Sequence, residues 1–245
     1  MWPASTRSSG GASEPMTTTL GGNQAAREAV LGRVRKALGV SGDRARARAD
    51  AESYLAARAQ GPRPAMPADL VARFLQRATD MESTVERLVD RAAIPAAVAR
   101  YLDALALPPA LAEQKSRRGV CWPEFADLDW KGAGLDIEAR PTLGDDRLGI
   151  TGTFCAIAET GTLVVLTGAD APTASALLPD THVAVVRAER IVSGMEEAFA
   201  LVRRERGPLP RAINMISGPS RTGDVEQTIV LGAHGPFRVH ILVVG

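Results

Sequence analysis

Between two apolar runs, Ile213–Ile216 and Val239–Val244, the chain carries a dense polar stretch, SGPSRTGDVEQTIVLGAHGP, from Ser217 to Pro236. A core segment has no use for so many polar groups, and an ordinary surface loop rarely lies between two such runs. Ser217-Gly218-Pro219-Ser220 reads as a tight turn whose amides and hydroxyls can face an anion. Pro219 has no N–H, so the donors would be Gly218, Ser220, Arg221 and Thr222. Arg221 suits bidentate capture of a carboxylate or phosphate. Asp224 and Glu226, two apart, share one side if the segment is extended. An Arg221–Asp224 pair that only stiffens the loop is the competing reading. His234 is the histidine placed in a loop, which makes it an acid–base or ligand candidate; His182 and His240 fall inside strand-like runs and read as structural.

A second region, Ala158-Glu159-Thr160-Gly161-Thr162, precedes the apolar run TLVVL. Gly161 permits a sharp turn, and Thr160 or Thr162 can hydrogen-bond locally. Glu159 is the one acid between Phe154 and Leu166. A carboxylate there must be paired, hydrogen-bonded or shifted in pKa, as a catalytic acid would be or as a structural cap would be. Glu159 and His234 are therefore the catalytic candidates, with no catalytic residue assigned. Thr160, Gly161, Ser217, Gly218, Ser220, Arg221, Thr222, Asp224 and Glu226 are the ligand-binding candidates. A metal site from Asp224, Glu226 and His234 matches no known ligand spacing, so no metal is expected. Ser217 and Ser220 lack the G-x-S-x-G setting of a hydrolase nucleophile.

These groups need a frame. Residues 1–22 are rich in Ser, Thr, Gly and Pro and read as a disordered tail. Residues 23–66 read as a helical arm and linker. A helix begins at Asn23 as N-cap and stops at Gly39, a second runs from the RARARAD segment through Ala59, and Gly61-Pro62-Arg63-Pro64 is stiff. The arginine run is read as a solvated helix face. From residue 67 to 245 an α/β domain is expected. Apolar spacing predicts one helix from Asp69 to Asp90, and a further one opening at Pro95 and ending before Pro108-Pro109. Strands are predicted at Gly119–Trp122, Arg147–Thr151, Thr162–Leu166 and His182–Val186, and a helix after a Ser193-x-x-Glu196 capping box. Strand alternating with helix argues for a mostly parallel sheet, with ligands beyond the strands' carboxyl ends.

Composition narrows the partners. With 29 basic and 28 acidic residues and 4% aromatics, neither nucleic acid nor a membrane surface is favoured. No apolar run approaches a bilayer span and no signal peptide is evident, so a cytoplasmic protein is expected. Two distant cysteines, Cys121 and Cys155, argue against disulfides, zinc or an iron–sulfur cluster built by this chain alone.

AETGTLVVL (Ala158 to Leu166), LPDTHVAVV (Leu178 to Val186) and the segment from Ser217 to Val244 together resemble the lactate-utilisation protein C family, the LUD-domain group. The resemblance is specific over Gly149–Gly245. It implies a three-layer α/β/α fold with a mostly parallel sheet, like the ribose-5-phosphate isomerase, glucosamine-6-phosphate deaminase and CoA-transferase group, plus an N-terminal helical extension. It also implies a part in oxidising L-lactate to pyruvate, with iron–sulfur clusters carried by partner proteins and no cofactor on this chain. The 217–236 loop would then bind a small carboxylate or dock a partner. The alternatives are a stand-alone transferase or isomerase using Glu159, resting on fold analogy alone, and a non-catalytic scaffold or regulatory subunit.

Overall fold

The computed structural model describes residues 20–39, 44–59, 61–105, 117–222 and 230–245. The chain forms two compact units, Met1–Gly61 and Pro62–Gly245. The first holds two helices, α1 (Leu20–Ala37) and α2 (Arg44–Ala57). Helix α1 begins three residues before the expected N-cap, so Asn23 lies inside it. Gly39 takes the left-handed conformation, φ 60°, just past its end. No residue of α2 is buried, and Arg48 pairs with Glu52 at 2.8 Å, one turn on. Its arginines thus lie on an exposed helix. Among the described residues no helix is long and apolar enough to cross a membrane.

In the second unit the helix expected over Asp69–Asp90 is a helix followed by a strand. Asp69 caps α3 (Leu70–Asp80) by accepting from the Ala72 amide at 2.9 Å. The Met81, Glu82 and Ser83 amides then close back onto Arg77, Thr79 and Ala78, and Glu82 turns into left-handed φ of 64°. Strand β1 (Thr84–Leu88) follows and lies parallel to the last strand of the chain. Apolar spacing cannot reveal this break, because the partner that makes Thr84–Leu88 a strand lies about 156 residues away, as in Thr84↔His240. Helix α4 (Ile94–Ala104) carries Pro95 in its first turn, where its missing N–H costs nothing.

The remaining elements are β2 (Arg118–Cys121), β3 (Asp136–Ala139), β4 (Leu148–Gly152), β5 (Cys155–Ile157), β6 (Thr162–Leu166), α5 (Ala174–Leu177), β7 (Thr181–Arg187), β8 (Ile191–Val192), α6 (Met195–Arg206), β9 (Ile213–Ile216), β10 (Arg221–Thr222), β11 (Val230–Leu231) and β12 (Arg238–Val244). Six strands form one sheet in the order β1-β12-β7-β4-β2-β3, and every neighbouring pair is parallel. This is the α/β architecture with flanking helices. Its central strands β7 and β12 are buried along most of their length, as the unbroken apolar runs require.

A second, four-stranded sheet runs β8-β5-β6-β9, with β6 antiparallel to both neighbours. The TLVVL run thus belongs here and not in the parallel sheet. Ala158–Gly161 is too short for the crossover that parallel neighbours need, and Gly161, at φ 70°, folds the chain straight back. Side chains alternate along β6. Leu163 and Val165 join the main core with Phe74 and Ala78 of α3, whereas Val164 and Leu166 pack on Ala198, Leu201 and Val202 of α6. The expected Ser193–Glu196 capping box is absent: Gly194 is the N-cap and no side chain caps the helix. Glu196 and Glu197 lie instead at Arg63, 3.7 Å from Glu196 and 2.6 Å from Glu197. Arg63 and the half-buried Met66 fix the Pro62–Pro67 segment to this unit.

Candidate functional site

The two polar regions singled out in the sequence meet. Strand β6 begins where β9 ends, with Leu163 opposite Ile216, which brings the Thr160–Thr162 turn beside Ser217. A hydroxyl chain results: Thr160 Oγ1 lies 2.6 Å from Thr162 Oγ1, which lies 2.7 Å from Ser217 Oγ. Both turns abut the end of α3. A Cβ at Gly161 would run into the Arg77–Ala78 backbone, and one at Gly218, φ 82°, into the Met81 carbonyl. The loop then closes on itself, with the Ser220 amide donating to Pro236 and the Gly232 amide to Ser220, both at 2.9 Å. Thr222 pairs with Val230 in the β10–β11 ladder.

Arg221 reaches across to the same helix end, 2.7 Å from Glu82, and donates to the Met81 carbonyl at 3.4 Å. Among the described residues Glu82 is thus the acid that Arg221 meets; Asp224 and Glu226 lie outside them. His234 is exposed. Glu159 is half-buried beside Gly194, near Arg63 and Glu197. There the guanidinium of Arg63 holds the Glu197 carboxyl down at about 2 by a direct hydrogen bond. The described parts of the loop, 217–222 and 230–236, are therefore braced against each other and against the end of α3, at the amino end of β12. His182 and His240 are buried in β7 and β12, the first against Thr151 and the second between Thr84 and the Tyr101 ring.

A cavity of about 430 Å³ lies elsewhere, at the carboxyl ends of β2, β4 and β7. After β2 the chain runs to the edge strand β3, and after β4 it runs on to β7 on the other side. Two neighbouring strands whose chains depart in opposite directions leave a crevice between them, which is where open α/β sheets bind ligands. Trp122 follows β2, its amide extending the ladder to the Ile150 carbonyl at 3.0 Å and its indole N–H donating to Pro172 at 3.2 Å. Thr153 and Phe154 follow β4, and Arg187 ends β7. Glu124 presses on the end of β4: a Cβ at Gly152 would run into its carboxyl group. Burial raises the Glu124 pKa, while Arg187 and Arg91 oppose the rise. Arg190 grips Glu205 at 2.8 and 2.9 Å and, with Arg206, covers the Phe154 ring. No single motif marks this cavity. The only sequence signal is Arg187 and Arg190 directly after a buried β-branched run, a strand end in a parallel sheet.

A parallel six-stranded sheet, a smaller mixed sheet and a crevice at the chain's reversal define an α/β domain with a cavity at the carboxyl ends of its strands and a polar loop at the amino end of β12. The chain belongs to the LUD-domain family, whose model matches residues 75–244. It is 34% identical over 197 residues to a lactate utilization protein C of Deinococcus radiodurans, covering 76% of this chain and 89% of that one. A Bacillus subtilis protein of the same name is 35% identical over 127 residues, half of this chain and 53% of the relative. Among solved structures, a DUF162 family protein from Deinococcus radiodurans superposes with a TM-score of 0.51 at 27% identity, over 74% of this chain and all of the other.

Proposed function

We propose that this chain is a subunit of a lactate-utilisation system that oxidises L-lactate to pyruvate, and that the Ser217–Pro236 loop is where it meets an iron–sulfur partner. The family match over residues 75–244, with relatives named for lactate utilisation, carries the reading. Oxidation removes two electrons and two protons from lactate, and the clusters that accept the electrons belong to the partners. The loop suits docking better than capture of a small acid. Arg221 already has Glu82 at 2.7 Å, and a free carboxylate would have to displace it, whereas an arriving surface can add contacts to both and to exposed His234.

The test is co-expression with candidate iron–sulfur proteins of a lactate-utilisation system, reading co-purification and lactate-dependent dye reduction. Arg221→Ala and His234→Ala are expected to weaken co-purification together. A partner pair that turns over lactate at full rate without this chain would refute the proposal. Acyl-CoA turnover by the isolated chain would replace it with a transferase reading centred on Glu159.

A further inference from the structure

The cavity at the carboxyl ends of β2, β4 and β7 is separate from the loop and independent of that reading, and its chemistry selects a ligand. Its volume of about 430 Å³ exceeds what a three-carbon acid fills and falls within the size of small-molecule clefts, roughly 300–1,000 Å³. Three guanidiniums line it, those of Arg187, Arg190 and Arg206, against the carboxyl groups of Glu124, Asp170 and Glu205. These charges do not cancel in place. Arg190 and Glu205 saturate each other through two hydrogen bonds. Arg187 acts on Glu124 through its charge and lies 3.6 Å from exposed Glu189, while Arg206 lies over Phe154; among the described residues neither guanidinium has a carboxylate within hydrogen-bond distance. Glu124 is pressed against the end of β4 and Asp170 is exposed, so the guanidiniums of Arg187 and Arg206 are the groups that an anion entering the cavity meets.

The walls narrow the class further. Trp122, Phe154 and Leu166 are each at least nine-tenths buried, so they offer apolar flanks and no open ring face. Arg190 at 4.8 Å and Arg206 at 5.6 Å from the Phe154 centroid already occupy the position that a stacked base would need. Thr167 on the same wall has a buried hydroxyl without a hydrogen-bond partner among the described residues, a group that a ligand oxygen would satisfy. We propose that this cavity binds a short dicarboxylic acid, with Arg187 and Arg206 each taking one carboxylate and the methylene chain spanning the space between them. Guanidinium pairs recognise planar carboxylates bidentately, and a second anionic group separates such a ligand from lactate.

The full chain is titrated with succinate and glutarate by calorimetry, with lactate, pyruvate and inorganic phosphate as comparators. Saturable one-to-one binding of a diacid, at least tenfold tighter than lactate or phosphate, is expected. Arg187→Gln and Arg206→Gln should each weaken it about tenfold and together abolish it, with melting temperatures unchanged. Arg221→Gln should leave it as it was. The proposal is overturned if neither diacid binds saturably, if lactate or phosphate binds as tightly, or if the double variant binds like wild type. Co-purification with iron–sulfur partners should survive Arg187→Gln/Arg206→Gln, so failure of this site and failure of the docking role are read separately.

Discussion

Acid should unfold this protein in two stages, and the first belongs to His182 and His240. Both are buried in neighbouring strands of the parallel sheet, and burial lowers each pKa from about 6.5 to about 4. For His240 the negative charge of Glu86 and the contact with Thr84 oppose the shift; for His182 burial alone acts. His182 Nε2 lies 2.8 Å from Thr151 Oγ1, and His240 Nδ1 lies 2.8 Å from Thr84 Oγ1. The other ring nitrogen of each is buried without a partner among the described residues, so a doubly protonated ring would leave an N–H unanswered. The unfolded chain therefore binds more protons below about pH 6.5, and stability falls with pH until the folded rings also titrate near 4. At about pH 4.5 each histidine has removed about 2.5 kcal/mol, so the two together remove about 5 kcal/mol. That is a large part of a typical total of roughly 5–15 kcal/mol. Glu124, raised by burial, works in the opposite direction and trims the loss. Glu197 and Asp127, held near 2, lose their contribution only below about pH 4.5, which is the second stage. Urea melts from pH 8 to 4.5 read the first stage. His182→Gln and His240→Asn each keep a donor near the matching ring nitrogen but cannot titrate, and each should flatten the slope by about half. If both single variants lose stability between pH 6.5 and 4.5 as steeply as wild type does, the buried histidines are not the cause.

Three further outcomes follow from the geometry. Gly161→Ala and Gly218→Ala force left-handed backbone and a collision with α3, so each should cost at least about 2 kcal/mol and lower the melting temperature by several degrees; an unchanged melt would mean that α3 does not brace these turns. In Arg63→Ala, the Glu197 carboxyl should titrate near the usual glutamate value of about 4.3 by NMR, up from about 2; no movement would show that Arg63 is not its partner. Cys121 and Cys155 are fully buried with thiols pushed up to about 11, so neither should react with a disulfide reagent at pH 8 until the chain unfolds, and fast native labelling of either would contradict the packing.

The sequence and the structure agree wherever a local pattern suffices. Thr162–Leu166 and Ile213–Ile216 are strands with the bounds that their apolar runs suggest, and Pro95 opens its helix. Disagreement begins where a distant partner decides. Thr84–Leu88 has helical spacing but pairs with β12, and next to the missing capping box Glu197 is taken by Arg63, about 134 residues away. Glu82, with no glycine to announce it, turns the chain at φ 64°.

The cavity is the extreme case of the same limit. Its lining residues are scattered from Trp122 to Pro210 and share no motif. What gathers them is strand order: β2 and β4 are neighbours, but the chain leaves them toward opposite edges, so the residues following each are left facing a gap that no connection fills. Arg187 gains its position only because β7 lies parallel to β4 and ends at the same side. A contiguous polar loop such as Ser217–Pro236 stands out in a linear reading whether or not it binds anything small. A crevice at a chain reversal is silent until the sheet is assembled, and here it holds the guanidiniums that no carboxylate has fully claimed, whereas Arg221 in the conspicuous loop already has Glu82.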